Sequence, residues 1–304
     1  MKRRTWGLVM VFLGPALLLY LLFVAYPFLS SLRYSLYNWN GVGPLQDFIG
    51  LQNYTYTLFS QDFSPFFWRA VAHNLYFFLL SMILTTLIGL TLAYLLMTIN
   101  ERRSRWFQTI YFLPMVVPPI VIAYLWSMYL EPDSGTIPVL LDSLHLQSLN
   151  VPFLGSTTLA LPTIAVLQAW AGMGFPILVF VAALINVPGE LLDAARVDGA
   201  GRWRTFFSII FPIIKPTYYT ILTLNFVGAF GAFDLIYIME GTQAGPNYAT
   251  DVVGTLFYRT AFGGFGTTAQ GMGLATALAV LGFIIVMIAS AILVNLQRRA
   301  VVQL

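Results

Sequence analysis

Cysteine is absent from the 304 residues, and charge is scarce: Asp, Glu, Lys and Arg together make up 9% of the chain, against about 25% in an average soluble domain. Without cysteine there can be no disulfide, thiolate metal site or cysteine nucleophile. Histidine is nearly missing too. His73 and His145 are the two present, and neither has a partner at ligand spacing, which favours a local polar role over metal binding. The Gly-x-x-x-x-Gly-Lys-Ser/Thr cradle of an ATPase does not occur, and the glycines at 263–273 ("GGFGTTAQGMG") lack the preceding strand of a dinucleotide site, so they read as a loop. No pair of carboxylates suited to hydrolysis is visible. The net charge of +3 is spread too thinly to indicate nucleic-acid binding.

What the chain has in abundance is apolar surface, at 59% of residues. A single core cannot hide that much, so lipid must be the solvent for most of it. Runs long enough to cross about 30 Å of hydrocarbon as helix fall near 7–31, 71–97, 107–129, 158–185, 212–238 and 271–296. The reading is an all-α integral membrane protein with six transmembrane helices in one domain over 1–304. Lys2, Arg3 and Arg4 precede the first run, which is too long for a signal-peptide core and reads as a retained anchor.

Orientation follows from the basic residues. Twelve of the 15 lie in 1–6, 98–106, 186–215 and 297–304, leaving Arg33, Arg69 and Arg259 for the other side. The positive-inside rule therefore places both termini and the "NERRSR" loop in the cytoplasm. The outer segments near 33–69, 130–157 and 239–270 carry Asp47, Asp62, Glu131, Asp133, Asp142 and Asp251.

The loop over 186–212, between the fourth and fifth runs, then faces the cytoplasm. In "VPGELLDAARV", Pro188 suits a first helical turn and Glu190 lies near the positive end of the helix dipole. Asp198-Gly199 stops that helix, because glycine accepts the left-handed conformation of a helix end. In "RWRTFFSII", helical spacing resumes with Trp203, Phe206, Phe207 and Ile210 on one face, and Pro212 marks entry to the fifth run. The prediction is a short helix, a sharp bend and a second short helix. Taken alone, the loop also fits an amphipathic interfacial helix with solvated arginines.

The stretch resembles the cytoplasmic loop of permease subunits of binding-protein-dependent ABC importers, whose pattern is Glu-Ala-Ala, three residues, Gly, nine residues, Ile-x-Leu-Pro. Here it reads Asp193-Ala194-Ala195, three residues, Gly199, nine residues, Ile209-Ile210-Phe211-Pro212, with Asp for Glu and Phe for Leu. "FIGLQNY" at 48–54, "FLPMVVPP" at 112–119 and "GPNYATDVVGTLFYRTAF" at 245–262 extend the similarity along the chain, toward the maltose-type carbohydrate branch. The resemblance implies a non-catalytic subunit of a bacterial or archaeal cytoplasmic membrane. Its partners would be a second permease, expected to differ from it, two ATPase subunits that hold ATP and Mg, and an extracytoplasmic sugar-binding protein. No cofactor is expected on this chain. The loop would be a coupling helix that includes Asp198: Ala194, Ala195 and Gly199 for close packing, Asp193 and Arg202 for polar anchoring, and Pro212 for the link into the membrane.

Polar groups at membrane depth are costly and tend to be functional. Gln168, Gly172 and Phe175 share one face of the fourth run, and Asn225, Gly228, Ala229 and Ala232 one face of the fifth. Amides bond sugar hydroxyls and aromatic faces stack on sugar rings, so these residues form the candidate pathway, with maltose, a maltodextrin or another di- or oligosaccharide as the favoured solute. Helix packing through small residues and interhelical amide bonds accounts for the same pattern. An ion-coupled secondary transporter, which needs a buried ionisable group, is the competing class; Asp234 is its one plausible candidate, and its place near the outer end of the fifth run favours an interfacial or gate role.

Overall fold

The computed structural model describes residues 2–264 and 271–302, with side chains over 11–264 and 271–300. Most of the glycine-rich 263–273 loop therefore lies outside the described residues, as do the side chains of Lys2, Arg3 and Arg4. Among the described residues the fold is helical, and Tyr37 with Phe48 forms an isolated antiparallel bridge. In chain order the main helices are α1 (Val11–Tyr34), α2 (Gln52–Phe59), α3 (Ser64–Leu96), α4 (Glu101–Val116), α5 (Pro119–Tyr129), α6 (Thr136–Ser143), α7 (Ala160–Gly172), α8 (Gly174–Ile185), α9 (Gly189–Val197), α10 (Arg202–Glu240), α11 (Val253–Phe262) and α12 (Met272–Val302). Wide π turns interrupt α1, α3 and α10 at Leu21–Ala25, Met82–Leu87 and Phe206–Ile210. Residues 231–233 of α10 are not helical.

By length and composition four helices can cross a membrane, α1, α3, α10 and α12, or up to six if each bent pair is one span. The runs at 107–129 and 158–185 are broken rather than straight. Helices α4 and α5 meet at 91°, and α7 and α8 at 48°. The first break lies at Val117-Pro118-Pro119, where Val117 and Pro118 take extended ψ angles of 129° and 137°. Proline supplies no N–H and disfavours the helical region for the residue before it. Two further departures from the sequence reading concern boundaries. Helix α10 starts at Arg202 and runs through Pro212, and α11 occupies a stretch expected to be outer loop.

The chain forms two compact units, one of Met1–Trp68 with Leu256–Phe283, the other of Arg69–Thr255 with Ile284–Leu304. In the first, the Asn53 side chain donates to the carbonyls of Ser35 and Tyr37 at 2.9 and 3.1 Å, and the Gly273 N–H donates to Trp39 O at 2.8 Å. Phe28 and Phe283 meet edge to face, 4.9 Å between ring centres.

The second unit holds two apolar clusters. One gathers Phe77, Ile164, Ala165, Ala229, Ile236 and Val252. The other gathers Leu90, Ala93, Ile177, Phe180, Ile210 and Ile214. Backbones come very close where α8 starts. A Cβ on Gly174 would sit 2.6 Å from the Tyr111 carbonyl oxygen and 2.7 Å from the Phe112 Cα, so only glycine lets the first turn of α8 lie against α4.

Candidate functional site

A cavity of about 220 Å³ in the second unit is lined by Ser81, Thr85, Gln168, Gly172, Phe175 and Asn225, among others. Four residues that the sequence assigned to two separate faces therefore meet at one space. A second cavity, of about 260 Å³, shares Met115, Gln168 and Gly172 with the first and adds Ala232 and Asp234. Asp234 reaches it because the chain leaves the helical path at 231–233 and restarts at Asp234. Gly228 and Ala229 line neither cavity. Gly228 is exposed, and Ala229, at 2% exposure, belongs to the apolar cluster that seats α10. Its small side chain serves packing.

The two amides differ in what they already do. The Asn225 Nδ2 faces three acceptors on α3: the Ser81 carbonyl at 3.3 Å, the Thr86 hydroxyl at 3.0 Å and the Thr85 hydroxyl. Thr85 gives its own proton to the Ser81 carbonyl at 2.6 Å, which leaves its oxygen to accept from Asn225. Helix bonding thus occupies the nitrogen of Asn225, while its carbonyl oxygen has no protein donor among the described residues. The Gln168 side chain makes no hydrogen bond to any described residue, so its whole amide is available at the wall common to both cavities.

The elbow is built around Gly199, whose φ is +67°. The Ala200 N–H donates to Ala195 O at 2.9 Å and the Gly199 N–H to Arg196 O at 3.1 Å, the paired bonds of a Schellman cap. A Cβ at Gly199 would meet nothing within 4 Å, so within this chain the glycine is needed for its backbone angle. Ala195 is buried, whereas Ala194 is exposed. Asp193 pairs with Arg196 at 3.1 Å, one turn away, while Arg202 and Asp198 have no side-chain partner among the described residues.

The aromatic face expected of the second segment is divided. Phe206 and Ile210 belong to the second apolar cluster, but Trp203 and Phe207 are 78% and 60% exposed and stack on each other at 6.1 Å. The π turn at Phe206–Ile210 divides them, because a wider turn shifts the direction of every residue after it. It also precedes Pro212, whose ring and missing N–H disturb a regular turn. Pro212 therefore lies within a continuous helix and does not start one.

A polar cluster near the start of α3 has no counterpart in the sequence reading. Asn74 is fully buried; its Nδ2 donates to Ala229 O at 2.7 Å and its Oδ1 accepts the Val253 N–H at 2.9 Å. The His73 Nδ1 lies 2.7 Å from Asp251 O, so its ring is engaged with main chain. Asp251 is buried completely, accepts the Thr255 hydroxyl at 2.8 Å and faces Arg69 at 3.8 Å. A polar Asn74 inside an apolar run was the available signal. Among the described residues no three His, Asp or Glu side chains gather as a metal site.

Comparison with known proteins gives one consistent picture. Residues 85–301 match the family model described as "Binding-protein-dependent transport system inner membrane component". The chain is 34% identical over 276 residues to the probable ABC transporter permease protein YurN of Bacillus subtilis, covering 90% of each. It is 29% identical over 296 residues to the diacetylchitobiose uptake system permease protein NgcF of Streptomyces coelicolor, covering 95% of this chain and 82% of that one. A bacterial ABC transporter involved in import of the acidic polysaccharide alginate has a chain of similar fold, with a TM-score of 0.80 at 24% identity, covering 98% of this chain and 96% of that one.

Proposed function

The chain belongs to the family of binding-protein-dependent transport system inner membrane components, as a permease subunit of the sugar ABC importers, and from that premise we propose that its second unit carries the translocation path for a di- or oligosaccharide. Maltose or a maltodextrin is favoured. The observation that carries the reading is the meeting of Gln168, Gly172, Phe175 and Asn225 at one cavity. An unbonded amide and an amide carbonyl offer hydrogen bonds to hydroxyls, Phe175 offers a ring face, and Gly172 leaves room. Uptake relatives with saccharide names, among them the diacetylchitobiose permease, support the same class.

In this scheme the sugar arrives from an extracytoplasmic binding protein, and the chain pairs with a second, different permease. ATP and Mg act on two separate ATPase subunits, and both termini lie in the cytoplasm. The elbow at 189–205 seats on an ATPase, with Ala194, Asp198, Arg202 and the exposed Trp203 and Phe207 toward it. Because Phe206 and Ile210 pack with Leu90, Phe180 and Ile214, and because α10 is continuous from the elbow to Phe230, displacement of the elbow reaches the membrane helices as a rigid shift. Family membership leaves the ion-coupled alternative without support.

The test is ATP hydrolysis by the purified assembly in nanodiscs with its binding protein, measured against maltose, maltotriose and chitobiose. Stimulation by one saccharide, blocked by vanadate, is expected. Solute uptake driven by an ion gradient without ATP would overturn the reading.

A further inference from the structure

The larger of the two cavities contains a charge that the sugar path as described does not use. Its walls are formed by apolar and small residues such as Pro114, Val117, Ile122 and Gly231, with two side chains of strong polarity, Gln168 and Asp234. Asp234 is exposed and has neither an ion-pair nor a hydrogen-bond partner in its side chain among the described residues. None of the residues lining either cavity is basic. A solute that touches Gln168 therefore comes near a carboxylate that no basic side chain offsets, on a wall that is otherwise largely apolar. There Coulomb interactions are several times stronger than in bulk water.

We propose that Asp234 is a charge filter for the path: it disfavours anionic sugars, whether phosphorylated or carboxylated, and passes neutral ones. This rests on the sugar-path reading above. Gln168 and Gly172 lie on both cavities, so a solute moving from one to the other at this wall passes within the field of the carboxylate before it reaches Asn225. A neutral saccharide is indifferent to that field. An anion of the same size loses affinity by roughly tenfold for one like charge near 6 Å at an intermediate effective dielectric. Asp234 acts by repulsion of the wrong solute, so its removal broadens selectivity without weakening the hold on the right one.

Because the chain contains no cysteine, a single introduced thiol reports the local field without knowledge of the natural sugar. Ala171 lines the same cavity, and Ala171→Cys is a small change. In the full complex, its reaction rates with cationic (ethylammonium) and anionic (ethylsulfonate) methanethiosulfonate reagents are compared with those of free cysteine. The cation-to-anion ratio is expected to exceed the free-thiol ratio and to fall by about tenfold when Asp234→Asn is added. Equal ratios in Ala171→Cys and Ala171→Cys/Asp234→Asn overturn the filter. Maltose uptake by Asp234→Asn is measured in parallel. Failure of the unmutated assembly to take up any saccharide counts against the sugar path alone, since the thiol ratio is read without transport.

Discussion

Asn74 donates its side-chain N–H to the main-chain oxygen of Ala229 across 2.7 Å of fully buried interior. The same amide accepts from Val253 at 2.9 Å, so one side chain joins α3, α10 and the start of α11. Replacement by leucine leaves a buried carbonyl and a buried N–H without partners, at about 1–3 kcal/mol each. Asn74→Leu is expected to lower the thermal midpoint of the detergent-solubilised protein by several degrees, read by the loss of monodisperse protein on heating. An unchanged midpoint would mean that the bonds are not maintained in the membrane.

Gln168 and Asn225 line one cavity and should behave differently when cut back to alanine. Gln168 holds nothing in the protein, so Gln168→Ala leaves stability unchanged and weakens sugar-dependent ATPase stimulation by about fivefold to tenfold, the worth of one hydrogen bond. Asn225→Ala removes the donor shared by Ser81 and Thr86 and lowers stability by about 1 kcal/mol as well as activity. Paired melting and stimulation curves for the two variants separate the roles. Equal loss of stability in both would contradict the difference in bonding.

How much of this was legible in the sequence depends on the range of each cue. The apolar runs stand out because no polar spacing competes with them, and Gly199 announces the elbow because its backbone angle is a local property. Helical periodicity also puts Gln168, Gly172 and Phe175 on one face, since a 48° bend between α7 and α8 does not turn Phe175 out of the cavity. Periodicity counts along one helix only, however. It cannot tell which side of α10 meets α3, so it assigned Ala229 to the path although packing claims it. It also treated Asp234 as the next turn of a regular helix, whereas the interruption at 231–233 brings that carboxylate to the cavity. The Pro118-Pro119 break was present in the letters, but a pair of prolines does not specify its 91° angle.

Gly174 is where such packing is most demanding. A methyl group there would sit 2.6 and 2.7 Å from the backbone of Tyr111 and Phe112, and backbone cannot rotate away as a side chain can. Gly174→Ala is expected to destabilise by about 1–3 kcal/mol, the range for overpacking a tight contact, and to reduce the amount of folded protein recovered. Gly172→Ala has nothing within 4 Å of the added carbon, so it serves as the control that should fold normally.

Glu131 offers a prediction in pH. Its Oε2 accepts the main-chain N–H groups of Asp133 and Ser134 at 2.9 and 2.8 Å. Those bonds favour the charged form and lower the carboxyl pKa below its ordinary 4.5. A depressed folded value means that the turn is supported above pH 4.5 and loses that support only as pH falls through the lower folded value. Protection of the Ser134 amide, followed by mass spectrometry and taken relative to its intrinsic exchange rate at each pH, is expected to hold through pH 4.5 and to fall at lower pH. In Glu131→Gln the step in pH should disappear.

Gly199 separates conformation from contact most cleanly. Its φ of +67° costs an L-residue about 1–2 kcal/mol, while the added Cβ meets no atom of this chain. Asparagine tolerates the left-handed region and valine does not, so if only the backbone angle matters, Gly199→Asn preserves function and Gly199→Val loses it. A partner surface seated on the elbow changes that order, because any side chain then intrudes. Under the proposed coupling both variants hydrolyse ATP yet take up little sugar, with the asparagine variant cut well below wild type despite a normal melting curve. Retained uptake in Gly199→Asn would show that the glycine serves the fold of the elbow and that no ATPase surface approaches it closely.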